Sequence, residues 1–264
     1  DLNYVLGVYY FEDDGFTDNP QTFFAGASVF DSRAGFTTKA KAAYAQLEYG
    51  LTDALTLTGG LRYTSEDKTI DRANIAVVFD GLPPNTPFVP EGTTAKETFN
   101  DLSPQITLAY AASDTVNFYA KYAKGFKSGG FNGEAGSVAE TVRPYDAETV
   151  NSFEGGMKAR FWDNRAQLNV SAFVNDHKDM QLSVFTAEGA AASDVRNAGS
   201  ATIKGLEFEG LLQASDTVLL RANMGLLDPE YNEFIDAGVD VADDRAFPHA
   251  PSMTFAAGFD WDMY

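Results

Sequence analysis

Runs in which apolar and polar residues alternate recur from one end of this chain to the other. In "LTLTGGLRYT", Leu55, Leu57, Leu61 and Tyr63 share one face, and Thr56, Thr58, Arg62 and Thr64 share the other. Ile106, Leu108 and Tyr110 stand against Gln105, Thr107 and Ala109, and Val116, Phe118, Ala120 and Tyr122 stand against Asn117, Tyr119 and Lys121. Later runs place Leu168, Val170, Ala172 and Val174 together, then Val218, Leu220, Ala222 and Met224, then Met253, Phe255, Ala257, Phe259 and Trp261. A period of two is the mark of a strand with one apolar and one polar face. No segment gives a helical pattern of comparable length.

The connections between these runs are of two kinds, which alternate. Short ones fall at 51–54 ("LTDA"), 111–115 ("AASDT"), 161–165 ("FWDNR") and 213–217 ("QASDT"); each carries an Asp, whose side chain can bond nearby backbone in a tight turn. The word "ASDTV" occurs twice, at 112–116 and 214–218, and reads as one recurring hairpin turn. Long connections fall at about 13–38, 69–98, 127–147, 178–200 and 228–250 and hold most of the Pro, Gly and acidic residues. Short turns at one end, long loops at the other and strands of about 10 residues predict a transmembrane antiparallel up-and-down β-barrel, all-β, with about ten strands in this chain. Tyr49, Tyr110, Trp162, Trp261 and Tyr264 lie near the short-turn ends, and Tyr10, Tyr63 and Phe126 near the long-loop ends, as two membrane girdles of aromatics require. A soluble barrel or sandwich also alternates, but its long loops need not share one end and its aromatics should fill the interior.

Composition removes other classes. With no Cys among 264 residues there is neither a disulfide framework nor a Cys-based metal site. A net charge of −19 argues against nucleic acid and against a polybasic lipid surface. The longest apolar runs, such as "IAVVF" at 75–79, fall far short of the roughly 20 residues of a membrane helix. The opening "DLNYVLGVYYFEDD" has no basic leader and reads as the middle of a strand, so a section of a longer chain is expected.

Three blocks carry a resemblance. "YAKYAKGFKSGGFNG" at 119–133, "RPYDAETVNSFEGGMKARFWDNRAQLNVSAFVNDHKDMQLSVF" at 143–185 and "RNAGSATIKGLEFEG" at 196–210 resemble, in that order, the TonB-dependent outer-membrane receptors, most closely those for ferric siderophores. The resemblance implies a 22-stranded barrel around an N-terminal plug, and uptake of a scarce ligand driven from the inner membrane through TonB. Residues 1–264 would then be a partial barrel domain, with the plug, the TonB box and the remaining strands outside it. No catalytic residue and no cofactor is expected; iron would arrive only inside its siderophore. Outer-membrane lipid, TonB with its inner-membrane complex, and a ferric siderophore or similar small ligand are the implied partners. Short turns would face the periplasm and long loops the exterior. A passive channel or a structural or adhesive barrel is the alternative.

Within that frame, "GFKSGGFNG" at 125–133 is a strand top bending into a loop, with Gly supplying unusual backbone angles. Lys127, Phe131, Asn132, Arg143 and Tyr145 are the candidate lining of a ligand vestibule, since an anionic siderophore favours cationic and aromatic contacts. Asp176, His177 and Asp179 suggest a metal only weakly, because Asp176 and His177 point to opposite faces of a strand. The acidic stretches 11–19 and 236–245 lack EF-hand spacing and read as solvated loops. Glu207 and Glu209, two apart, read as lumen-facing positions rather than a catalytic pair.

Overall fold

The computed structural model describes residues 2–185 and 193–263. They form one antiparallel sheet of twelve strands. Its strands are β1 (Leu2–Asp18), β2 (Gln21–Phe23), β3 (Ser28–Gly50), β4 (Leu55–Val78), β5 (Thr86–Ser113) and β6 (Val116–Lys127). A single helical turn, α1 (Val138–Thr141), precedes β7 (Glu148–Phe161), β8 (Ala166–Phe185), β9 (Ser193–Ser215), β10 (Val218–Asp236), β11 (Val239–Asp240) and β12 (Met253–Trp261). The long strands pair with their sequence neighbours throughout, the short β2 adding to β3 and β11 to β10. The sheet does not close: β1 pairs only with β3, and β12 only with β10.

The register sorts the alternating side chains into two continuous faces. One row runs Tyr49–Leu57–Leu108–Ala120–Gly155–Ala172–Leu206–Leu226–Met253 across the sheet. The row beside it, on the opposite face, runs Thr56–Ala109–Tyr119–Gly156–Ser171–Glu207–Gly225–Thr254. Exposed Leu61, Ile106, Phe153, Leu220 and Phe255 make the apolar face a surface rather than a core. An apolar band of this kind is what a lipid-facing wall presents. Tyr49, Tyr63, Tyr110 and Trp261 stand on it, all about half exposed; Tyr264 lies outside the described residues.

The short connections are turns, and in three of the four a hydroxyl rather than the expected Asp carboxylate ties the backbone. In 51–54 the Thr52 hydroxyl accepts from the amides of Ala54 and Leu55 at 3.2 and 3.0 Å. In both copies of "ASDTV" a Ser does this work: Ser113 accepts from the Thr115 amide at 3.3 Å and Ser215 from the Thr217 amide at 3.4 Å. Each copy also carries a β-bulge at its Ala. Ser113 pairs with Val116 but Ala111 with Asn117, leaving Ala112 over; Ser215 pairs with Val218 but Gln213 with Leu219, leaving Ala214 over. At 161–165, Trp162, Asp163 and Asn164 all take positive φ, and the Arg165 amide closes on the Trp162 carbonyl at 3.1 Å.

The long connections differ from expectation. Most of 13–38 and 69–98, and about half of 228–250, is strand, because β1, β3, β4, β5 and β10 continue past the apolar band as hairpins. At about 3.3 Å rise per residue, the 24-residue β4 runs to roughly 80 Å, far beyond an apolar band about 25 Å tall. Beyond the band no lipid demands an apolar face, so Thr, Asp and Lys keep pairing while the apolar alternation that marks a strand disappears. The centre of 178–200, residues 186–192, lies outside the described residues. The segment 128–147 leaves the sheet, keeping one isolated bridge between Gly130 and Tyr145, and it folds back over the polar face. Ala34, Ile70 and Phe99 of the sheet are buried, and so is Phe131 of the segment itself.

Candidate ligand vestibule

The segment between β6 and β7 acts as a strap. It starts at Lys127, reaches across to β3, β4 and β5, turns through α1 and returns to β8 and β9. On its first side, α1 packs on β5. The α1 turn is capped by Ser137, whose side chain accepts from the Glu140 amide, while the Glu140 carboxylate accepts from the Gly136 amide at 3.2 Å. Arg72 of β4 anchors this side. Only 2% exposed, it donates through one terminal nitrogen to Ser32 Oγ, Arg33 O and Ala73 O, and through the other to Ala135 O of the strap at 3.3 Å. Burial lowers its pKa below the usual arginine value, and the charge of Glu134 opposes that fall.

On the other side the strap is sewn to β9. Asp194, 7% exposed, accepts from Arg143 at 2.8 Å, from Arg196 at 3.0 Å and from the amide of Asn132. Asn132 also exchanges two bonds with the Val195 backbone, at 2.9 and 3.1 Å. Asn197 accepts from the Asp146 amide at 2.6 Å and donates to the carbonyls of Asp146 and Asp179. Gln181 of β8 donates to the carbonyls of Ser128 and Asp146.

The glycines of 125–133 do not take left-handed backbone; among the described residues the positive-φ glycines are Gly26, Gly81, Gly92 and Gly238. They permit close approach instead. A Cβ at Gly129 would stand 2.2 Å from the Tyr145 carbonyl and 2.3 Å from the Phe99 ring. This lets Gly130 and Tyr145 pair as an isolated bridge, with N–H to O distances of 3.1 and 2.9 Å. Burial pushes the Tyr145 hydroxyl pKa up.

The five vestibule candidates therefore separate. Phe131 and Asn132, each 8% exposed, are packed between strap and sheet rather than presented on an open surface, and Tyr145 is half-buried, its backbone paired with Gly130. Arg143 stays half exposed although it holds Asp194. Lys127 is 64% exposed, with Glu148 3.7 Å away. Sequence reasoning missed Arg72, Gln181, Asp194 and Asn197, which had been read as ordinary strand or loop positions. Among the described residues no group of three or more His, Asp or Glu is placed to hold a metal ion. His177 lies 3.5 Å from Glu148, while Asp176 faces Lys178 at 3.9 Å. In 236–245, Asp240 accepts from the Phe234 and Ala242 amides, and Arg245 pairs with Asp236 at 2.6 Å. The polar face carries Tyr119, Glu154, Lys158, Glu207 and Glu209 around a shallow concavity of about 200 Å³.

An open antiparallel wall, apolar on one face and polar on the other, with the strap folded over the polar side, defines a section of a receptor-type outer-membrane barrel. The family model described as "TonB dependent receptor-like, beta-barrel" matches residues 1–264, and the chain belongs to that family, whose members are receptors and transporters. The pesticin receptor of Yersinia enterocolitica is 28% identical over 179 residues, which is 67% of this chain and 24% of that protein. The pesticin receptor of Yersinia pestis matches over the same extent. The chain thus spans about a quarter of the length of these curated relatives. Among solved structures, the ferric yersiniabactin uptake receptor of Yersinia pestis superposes with a TM-score of 0.80 at 20% identity, covering 98% of this chain and 37% of that one. The closed ferric-catecholate import receptor of Escherichia coli K12 gives 0.68 at 14% identity, covering 98% and 39%.

Proposed function

We propose that this chain is the wall section of an energy-coupled outer-membrane receptor that imports a ferric siderophore, and that it is not an enzyme. The reading rests on family membership across residues 1–264, together with relatives whose names include siderophore uptake receptors. The 51–54, 112–116, 161–165 and 214–218 turns face the periplasm, and the long hairpins and the strap face the exterior. The rest of the barrel and a plug domain lie outside this segment, and TonB acts through that plug. Iron enters as cargo already chelated, so the wall needs no iron ligands of its own. Lys127 and Arg143, the strap cations with exposed side chains, meet the anionic ligand first.

The test is growth on single ferric siderophores as sole iron source, with the full-length gene present or deleted, and with TonB present or deleted. Growth that needs both genes on at least one siderophore is the expected result. Uptake that persists without TonB would point to a passive channel, and uptake indifferent to the gene would end the import reading.

A further inference from the structure

Arg62 stands on the polar face of β4, in register with Tyr44 of β3 and Ser103 of β5 and next to Tyr63 at the long-loop end of the apolar band. Lys39, Lys124, Arg221 and Arg245 each hold a carboxylate. Arg62 has no carboxylate partner among the described residues. Its Nε donates to Thr64 Oγ1 at 3.0 Å, and its two terminal nitrogens have no acceptor there. What holds the guanidinium is aromatic: its carbon lies 5.4 Å from the Tyr9 ring centroid and 5.9 Å from that of Tyr44.

The surroundings are built to keep that arrangement. Tyr44 lies across Gly7, where a Cβ would come within 2.2 Å of the ring, so any larger residue on β1 would push Tyr44 away. Gln105 donates to Gln46 at 2.8 Å, which leaves the Gln46 amide nitrogen free to donate elsewhere. Lys124 and Asp101 pair at 2.5 Å and supply the next charges along the wall. Arg62, Tyr9, Tyr44, Gln46, Gln105 and Lys124 line one concavity of about 470 Å³, large enough for a small ligand or a side chain with its backbone.

We propose that this concavity is a carboxylate-binding site on the lumen wall. A carboxylate accepts from the two free terminal nitrogens of Arg62 end-on, since Nε is held by Thr64, and Tyr9 and Tyr44 hold the fork flat to receive it. Arg is suited to this because its donors are fixed in a plane that matches a carboxylate. The inference rests on the barrel reading, since only a closed wall makes this face a lumen. The carboxylate comes either from a free small anion or from an Asp or Glu of a chain segment lying in the lumen.

Phenylglyoxal labelling of Arg62 in the purified full-length receptor, read by mass spectrometry with succinate as the probe, separates these. If a free anion is the source, Arg62 reacts in the bare protein and saturating succinate slows labelling by about tenfold or more, while equal ionic strength of chloride does not. If a chain segment is the source, Arg62 is protected without succinate. Arg62→Gln, unlike Arg62→Lys, then exposes lumenal segments to limited proteolysis about tenfold faster. Free reaction that succinate does not slow, or protection with an Arg62→Gln protein as resistant as wild type, overturns the proposal. Loss of import in the wild-type strain would fail the functional reading above without altering any of these labelling outcomes.

Discussion

Asn132 and Val195, separated by 63 positions, are bonded to each other twice. The Asn132 carbonyl oxygen accepts from the Val195 amide at 2.9 Å, and its amide nitrogen donates to the Val195 carbonyl at 3.1 Å. The side chain thereby imitates one rung of a β-ladder, so the strap joins β9 as if it were a neighbouring strand.

Replacing Asn132 with Ala removes both bonds and strips one donor from Asp194, leaving buried groups without partners. Loss of that kind costs about 1–3 kcal/mol, so the strap should open roughly tenfold to a hundredfold more often. Hydrogen exchange in the full-length receptor should quicken at 128–147 and at Val195 while the rungs between β7 and β8 stay protected. Unchanged exchange at Val195 would show that the strap is held elsewhere.

The two faces of the wall predict opposite responses to charge. Ile106→Arg puts a guanidinium on the apolar face and should destabilise the folded barrel by about 2–4 kcal/mol. Thr107→Arg, one residue on, faces Lys121 across the sheet and should cost less than about 1 kcal/mol. Urea unfolding in detergent or lipid reads both; equal losses would mean that the faces are misassigned.

Ser, not Asp, should matter in the repeated turn. Ser113→Ala and Ser215→Ala should each cost about 0.5–1 kcal/mol, since each deletes one long hydrogen bond. Asp114→Asn should fall within about 0.5 kcal/mol of wild type. A larger effect at Asp114 than at Ser113 would restore the carboxylate as the turn's tie.

The 234–245 turn should respond to acid. Amide donors from Phe234, then Ala242, lower the Asp240 pKa below the usual carboxylate value. A group depressed in the fold contributes stability above its unfolded pKa and loses it as pH falls through the lower folded value. Protection of the Phe234 and Ala242 amides, corrected for intrinsic exchange, should therefore fall below the ordinary carboxylate range. In Asp240→Asn it should be low at all pH values, so a pH-dependent Asp240→Asn protein would assign the effect to another group.

The strand pattern was legible where a membrane-like environment demands it. Leu57, Leu108, Ala120 and Ala172 fall on one row because alternation has to match between neighbours when one face is apolar. Past the band that demand ends, and the outer parts of β3, β4 and β5 looked like loop because Thr69, Asp71, Thr93 and Lys96 satisfy a ladder without alternating apolar side chains. The strap segment was legible from its Gly-rich letters, but its partners were not. Arg72, Asp194 and Asn197 meet it only through contacts 50 or more positions apart, which no local spacing reveals. Asn132 and Phe131 carried the right chemistry for a ligand surface, and their burial against Asp194 and the sheet could be known only from the fold.

The spare alanine in each copy of "ASDTV" has a reach far larger than its size. Past Ala112 the pairs are Ala111 with Asn117 and Tyr110 with Phe118. A hairpin from the same two-residue turn without the bulge would instead set Tyr110 against Tyr119, and every rung above it would join a lipid-facing residue to a lumen-facing one. The alanine works like a single-letter insertion that restores a reading frame: one residue lies out of pairing so that all the later ones are in phase. Ala214 resets β10 against β9 in the same way. Across these two hairpins the two faces of the wall are thus kept consistent by two methyl-bearing residues at its short-turn rim.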